Sequence, residues 1–156
     1  METILAPLPL GTSDFSALRK SGQIYVDKTG LIYKLASKRQ KFFLSRPRRF
    51  GKSLLLSTFE SLFKYGLRDF HGLEIESLWK DDSTYQVIRL DFSNLKGFSS
   101  AEEFSELLDQ YLLDTLTVNR LVSPIKTEKE GLRAFIGWLA LQADNSVVLL
   151  LDEYDT

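Results

Sequence analysis

The chain has 156 residues, of which 44% are hydrophobic and 26% charged, a composition that predicts one folded globular domain and excludes a disordered chain. Lys and Arg number 20 against 21 Asp and Glu, and the net charge of -1 gives no overall attraction to nucleic acid or to an anionic membrane. There is no cysteine and only one histidine, which excludes disulfides, thiolate metal sites and metal sites built from several histidines.

The N-terminal residues show no recognisable targeting signal. Residues 1–10 lack a basic segment and are interrupted by Pro7 and Pro9, and no apolar run approaches the ~20 residues that span a bilayer. We therefore expect a cytoplasmic protein without a membrane partner.

Two short helices are predicted before the first long apolar run. Residues 12–20 predict the first helix, capped by Thr12 or Ser13. Residues 24–26 predict a short strand, and Asp27 is placed to cap the second helix. The polar residues of segment 25–29 indicate no chemistry by themselves.

A strand, a turn and a helix follow one another across residues 41–65. Residues 41–45 predict a buried strand, and Lys52 to Tyr65 predict a helix that ends at Gly66. Between them, Gly51-Lys52-Ser53 indicates a phosphate-binding turn. Glycine permits a close approach of the backbone, lysine can contact phosphate, and the hydroxyl can bind Mg²⁺. The usual pattern has another glycine where this chain has Arg46.

The second half of the chain predicts alternating strands and helices. Residues 87–92 predict a strand, and Ser100 opens a helix through a Ser-x-x-Glu capping box with Glu103. Residues 127–130 repeat this pattern before another helix, and a turn at 144–146 leads into the apolar segment 147–151. Five consecutive apolar residues predict a strand buried on both faces, as in a parallel sheet.

The last predicted strand ends in Asp152-Glu153, the arrangement called Walker B. The first carboxylate can hold Mg²⁺ through its water shell, and the second can polarise an attacking water. The phosphate turn and this pair stand in the right order, each at the carboxyl end of a predicted strand. Together they indicate a P-loop nucleotide-binding core.

Each of these features also has a purely structural interpretation. The Gly-Lys-Ser segment can be a tight bend followed by an ordinary first helical turn, and the Asp-Glu pair can be solvated residues after a core strand. Asp155 can be a cap or a surface charge, and the arginines within 46–49 can form a solvated basic turn, although they would attract phosphate.

Three segments resemble a known family, the AAA-ATPase-like proteins, which often carry a C-terminal PD-(D/E)XK-type nuclease-like domain. These segments are Tyr25-Val26-Asp27-Lys28-Thr29, residues 43–53 with the loop Arg-Pro-Arg-Arg-Phe-Gly-Lys-Ser, and Leu151-Asp152-Glu153-Tyr154-Asp155. The family has the same loop, so Arg46 looks like a family trait. The resemblance covers nearly the whole chain and implies an α/β fold of the P-loop NTPase type, a parallel sheet flanked by helices.

The resemblance also implies roles for individual residues. Lys52 contacts the β- and γ-phosphates of ATP, Glu153 activates water, and these two are the catalytic residues. Ser53 and Asp152 place Mg²⁺. The residues that bind the nucleotide are Arg48, Arg49, Phe50, Gly51, Lys52 and Ser53, and the backbone amides of 49–51 line the phosphates.

The P-loop ATPases of this type imply a sheet order of 5-1-4-3-2, in which segments 42–45, 87–92 and 147–151 are strands 1, 2 and 3. The chain then divides into an N-terminal extension, 1–40, and a core, 41–156, truncated after the Walker B strand. We expect such a segment to show weak or no turnover by itself. The resemblance implies two possible partners besides the nucleotide: nucleic acid, bound through a nuclease-like domain, and further copies of the chain.

Three other functions stay open at this level. One is a degenerate module that binds or interacts without hydrolysis. Another is a nucleic-acid-associated protein that uses the basic residues 46–52, against which the neutral overall charge argues. The last is a kinase-type phosphoryl transferase, although the Asp-Glu pair favours water as the acceptor.

Overall fold

A computed structural model describes residues 6–45, 47, 49–121 and 130–153. The helices are α1 (Phe15–Lys20), α2 (Thr29–Ala36), α3 (Lys52–Tyr65), α4 (Ile75–Leu78), α5 (Ala101–Val118) and α6 (Gly131–Ala140). The strands are β1 (Gln86–Asp91) and β2 (Val147–Asp152), and short 3-10 turns, Gly66–Asp69 and Phe92–Asn94, follow α3 and β1. The chain forms two compact units, and the boundary between them falls between Val87 and Ile88.

The first unit contains α1 to α4 around one apolar core. The fully buried Phe15 ring packs 4.7 Å from the Phe70 ring and 5.1 Å from the Tyr25 ring, measured between ring centres. The buried core residues are Phe15, Ile32, Ala36, Leu62, Phe70, Leu73, Ile75 and Trp79. Each of the four helices contributes to this core, and its burial fixes the position of α3.

The sheet consists of β1 and β2 in parallel, and all of it except the first two residues of β1 belongs to the second unit, which also contains α5 and α6. Its buried core residues are Ile88, Leu90, Leu112, Leu116, Phe135 and Trp138. The strands predicted as strands 2 and 3 are therefore neighbours. The predicted cap of α5 is confirmed, because Ser100 Oγ accepts a hydrogen bond from the Glu103 N–H at 3.1 Å.

The α5 and α6 helices lie close together at Gly131. A Cβ atom at this position would lie 1.9 Å from the carbonyl oxygen of Asp109, so no larger residue fits without moving a backbone. The Asp109 carboxylate also accepts a hydrogen bond from the Leu132 N–H at 2.8 Å. One residue of α5 therefore caps α6 and limits what can stand at its first position.

The two predicted strands of the first unit are wrong. Residues 24–26 and 41–45 have no strand assignment, and the side chains of Phe42, Phe43 and Leu44 are exposed, that of Phe43 by 74%. A strand requires the hydrogen bonds of a neighbouring strand. Over the described ranges the sheet contains β1 and β2, and an apolar sequence does not itself supply a neighbour.

Two finer expectations also need correction. Strand β2 is not buried on both faces, since Leu150 and Asp152 are buried while Leu151 is 47% exposed. Burial on both faces needs cover on each side of the sheet. Helix α1 is capped by Asp14, whose carboxylate accepts a hydrogen bond from the Ala17 N–H, and neither Thr12 nor Ser13 is its cap.

Candidate functional site

The predicted phosphate turn leads directly into α3. Arg49 and Gly51 both adopt left-handed backbone conformations, with φ of 66° and 74°, and Phe50 between them is exposed. Glycine adopts this conformation without the steric strain that a Cβ introduces, whereas the backbone of Arg49 is strained by its Cβ. Backbone strain of this kind is concentrated at functional loops. Arg46 and Arg48 lie outside the described residues.

Helix α3 begins at Lys52, as predicted, and Gly51 is its N-cap residue. Glycine has no side chain that could accept a hydrogen bond from the first turn. The first intrahelical bond of the usual pattern joins the Leu55 N–H to the Gly51 carbonyl oxygen at 3.0 Å. The earlier N–H groups, including those of Lys52 and Ser53, point out of the helix end, as in any α-helix. The helix has 14 residues, so its N-terminus carries the partial positive charge that favours an anion.

A row of hydroxyl groups orients α3 within the first unit. Ser57 Oγ accepts a buried hydrogen bond at 2.8 Å from the N–H of Phe15, the first residue of α1. One turn further, Ser61 Oγ donates to the Asp69 carboxylate at 2.7 Å. Ser53 stands one turn before Ser57 in the same row. The sequence prediction stressed the apolar positions of this helix and missed that Ser57, Thr58 and Ser61 are buried.

Asp69 accepts several hydrogen bonds just after the C-terminal end of α3. It receives hydrogen bonds from the guanidinium of Arg68, at 2.9 Å, and from the hydroxyls of Ser16 and Ser61. The Arg68 guanidinium, with help from the two hydroxyls, holds the pKa of Asp69 well below its usual range, although partial burial acts in the opposite direction. The carboxylate is thus ionised at neutral pH and joins α1 to α3.

The segment 25–29, for which the sequence indicated no chemistry, has a structural role. Asp27 Oδ1 accepts hydrogen bonds from the N–H and the hydroxyl of Thr29, at 2.8 and 2.7 Å, and Oδ2 accepts one from the Glu74 N–H at 2.7 Å. Thr29 is fully buried, and its hydroxyl accepts from the Ile75 N–H at 3.1 Å. Burial raises the pKa of Asp27, but these hydrogen bonds outweigh it and lower the pKa. The segment therefore joins the starts of α2 and α4.

The predicted Walker B pair ends β2 in the second unit. Asp152 is the last residue of the strand and is only 4% exposed, and Glu153 follows in a left-handed conformation with φ of 54°. Asp152 Oδ2 accepts a hydrogen bond at 3.0 Å from a guanidinium N–H of Arg89, on the neighbouring strand β1. The sequence prediction missed this ion pair, whose members are 63 residues apart. Asp155 lies outside the described residues.

Two further observations concern the part of the chain that the structure describes. It contains no group of three or more His, Cys, Asp or Glu residues placed to hold a metal ion by themselves, and no helix in it is long and apolar enough to cross a membrane. An open cavity of about 470 Å³, without charged side chains, lies at the start of α5. Its lining residues are Phe98, Ser99, Ser100, Ala101 and Phe104.

Comparison with known proteins gives one family and one distant relative. A family model described as Predicted AAA-ATPase matches residues 9–156. An uncharacterized protein in the vnfD 5' region of Azotobacter chroococcum mcd 1 is 35% identical over 153 residues, which make up 95% of this chain and 29% of the relative. The chain therefore spans less than a third of that relative's length. No solved structure matches the chain.

Proposed function

We propose, since the chain belongs to the predicted AAA-ATPase family, that it is the nucleotide-binding part of an ATPase and binds ATP together with Mg²⁺. In this proposal the complete protein hydrolyses ATP. The β- and γ-phosphates lie against the turn 48–53, Ser53 and Asp152 place the metal ion, and Glu153 activates water.

The observation that carries the proposal is the junction between Gly51 and α3. A left-handed glycine at the N-cap leaves the first turn of a 14-residue helix without a side-chain acceptor. The N–H groups at that end can then bind an anion, and the helix dipole adds to the attraction. Lys52, the first residue of the helix, brings a positive charge to the same end. A phosphate group satisfies all of these groups at once.

The residues assigned to the metal fit Mg²⁺ in their chemistry. This ion prefers oxygen ligands and is usually bound by one or two carboxylates together with phosphate oxygens and water. Ser53 supplies a hydroxyl and Asp152 a carboxylate, both of them oxygen donors. Bound Mg²⁺ would neutralise part of the phosphate charge, while the residues of the chain orient the nucleotide. Both ligand assignments are part of the proposal.

Titration with a fluorescent ATP analogue in the presence of Mg²⁺ tests the proposal. We expect Lys52→Ala to weaken binding at least tenfold, because it removes the positive charge that contacts the β- and γ-phosphates. Lys64→Ala is the matched control, since Lys64 stands in the last turn of the same helix and pairs with Glu60 at 3.9 Å. Equal affinities of the wild-type chain and the Lys52→Ala variant would contradict the proposal.

Hydrolysis is tested separately from binding. We expect the Glu153→Gln variant to retain its affinity for Mg²⁺ and ATP. In a form of the protein that hydrolyses ATP, we expect the same substitution to reduce turnover, because a neutral amide cannot take a proton from water. Turnover that is unchanged by this substitution would remove Glu153 from the mechanism. Lys52-dependent binding without turnover in any form would favour the non-hydrolysing module.

A further inference from the structure

The second unit contains an ion pair whose acidic member is the residue assigned to Mg²⁺. Asp152 is 4% exposed and Arg89 is 29% exposed, so the pair is open to solvent only on the arginine side. The Arg89 guanidinium donates to Asp152 Oδ2 at 3.0 Å across the two parallel strands. A buried carboxylate without a cation is strongly destabilising, and Arg89 supplies that cation.

The same carboxylate cannot serve both cations fully. Mg²⁺, whether bound directly or through its water shell, needs the negative charge of Asp152. A guanidinium within hydrogen-bonding distance of this carboxylate neutralises that charge and repels a divalent cation. Arg89 is on β1 and is partly exposed, and its long side chain can change conformation without a movement of the two strands.

We propose that Arg89 is a positioning residue that competes with Mg²⁺ for Asp152. It holds the carboxylate oriented while the metal is absent, and it releases the carboxylate when Mg²⁺ arrives with the nucleotide. This inference rests on the proposed function, since it assumes that Asp152 places Mg²⁺. It adds that the Mg²⁺ requirement of the chain is set in part by a residue on the neighbouring strand.

The inference predicts opposite effects on metal binding and on stability. Arg89→Gln removes the competing charge. We therefore expect the Mg²⁺ concentration that gives half of the Mg²⁺-dependent gain in nucleotide affinity to be about tenfold lower than in the wild type, which is equivalent to about 1.4 kcal/mol. The same substitution leaves the buried carboxylate without its cation and lowers the melting temperature in the absence of Mg²⁺. If the ion pair has a purely structural role, Arg89→Gln lowers the melting temperature and leaves the Mg²⁺ requirement unchanged.

The experiment is a Mg²⁺ titration at a fixed concentration of fluorescent ATP, together with melting curves recorded without nucleotide, both in the absence and in the presence of Mg²⁺. Arg133→Gln is the matched control, because Arg133 belongs to the same unit, carries the same charge and is 86% exposed beside Glu130. We expect this control to keep the wild-type Mg²⁺ requirement. Arg89→Lys keeps the charge but loses the fork geometry of the guanidinium, so we expect a two- to threefold lower requirement.

Each outcome decides the inference. A Mg²⁺ requirement of Arg89→Gln that equals or exceeds the wild-type value overturns it while leaving nucleotide binding intact. If Arg89→Gln does not fold, Arg89→Lys decides, and an unchanged requirement overturns the inference. If the wild-type chain shows no Mg²⁺-dependent binding that Lys52→Ala removes, the proposed function fails, and the role of Arg89 fails with it.

Discussion

Replacement of Gly131 with alanine is expected to force α6 away from α5. The new Cβ would lie 1.9 Å from the carbonyl oxygen of Asp109, whereas ordinary contacts begin at about 3.4 Å, so the helices must separate by about 1.5 Å. Backbone atoms form the obstacle, and they cannot rotate away as a side chain can. We therefore expect the change to destabilise the second unit.

The size of the effect follows from three contributions. Over-packing of this kind costs about 1–3 kcal/mol. Separation also weakens the cap that Asp109 provides to the Leu132 N–H, worth about 1 kcal/mol. The gain from replacing glycine in a helix is at most about 1 kcal/mol and is smaller at the first helical position. We expect a net fall of about 2 kcal/mol in the free energy of unfolding.

Urea unfolding followed by tryptophan fluorescence measures this change. The chain has two tryptophans, Trp79 in the first unit and Trp138 in the second. In a Trp79→Phe background, the signal reports on Trp138 alone. The background loses no hydrogen bond of the described structure, because Trp79 Nε1 has no hydrogen-bond partner there.

Gly137→Ala is the matched control for this prediction. It stands in the same helix, but apart from its chain neighbours and the backbone of its own helix, no described atom lies within 4 Å of where its Cβ would be. We expect it to raise the free energy of unfolding by about 0.5–1 kcal/mol. Equal stabilities of the Gly131→Ala and Gly137→Ala variants would refute the close approach of α5 and α6.

Three more substitutions test the first unit. Gly51→Ala is expected to weaken Mg·ATP binding in a fluorescence titration and to lower the free energy of unfolding by about 1 kcal/mol, because a φ of 74° strains any residue with a Cβ. Ser57→Ala is expected to cost about 1–3 kcal/mol in urea unfolding, since the buried Phe15 N–H loses its acceptor. Asp69→Asn is expected to be less stable than wild type above pH ~4, with a difference that shrinks at lower pH. The reason is that Arg68, the main cause, makes the pKa of Asp69 lower in the folded than in the unfolded state. The ionised carboxylate therefore stabilises the fold above the unfolded-state pKa, and this stabilisation is lost as the pH falls towards the folded-state pKa. Melting curves at pH 3 and pH 6 measure this difference.

Each of these predictions has a result that contradicts it. For Gly51→Ala it is wild-type affinity for Mg·ATP, which would mean that the left-handed turn does not shape the site. For Ser57→Ala it is wild-type stability, which would place the α1 contact elsewhere. For Asp69→Asn it is a stability difference that does not change between pH 3 and pH 6.

The sequence predicted elements well where the local pattern is self-sufficient. The bounds of α3, the cap of α5 and the strand that ends at Asp152 depend on helical spacing, capping residues and a dense apolar run. Segment 41–45 is apolar as well, but strand formation depends on a neighbour that the pattern cannot supply. The chain's division into an extension and a core at residue 40 stays a prediction.

At the candidate site the sequence indicates residue types but not their contacts. The order of Gly51-Lys52-Ser53 and Asp152-Glu153 is visible in the sequence, and the structure places Lys52 at the start of α3. The pair between Arg89 and Asp152 is not visible, because it joins strands that are distant in the chain. Pairing of β1 with β2 brings these two side chains together, and only the tertiary structure contains that information.

The most direct test of nucleotide binding is an NMR titration of the ¹⁵N-labelled chain with Mg·ATP, read as changes in amide chemical shifts. We predict that the largest changes occur at the start of α3, from Arg49 to Leu54, and beside Asp152. We also expect Lys52→Ala to remove these changes and the cavity at Phe98 to Phe104 to be unaffected. Shifts that cluster at that cavity, or that persist in the Lys52→Ala variant, would contradict the proposed nucleotide site.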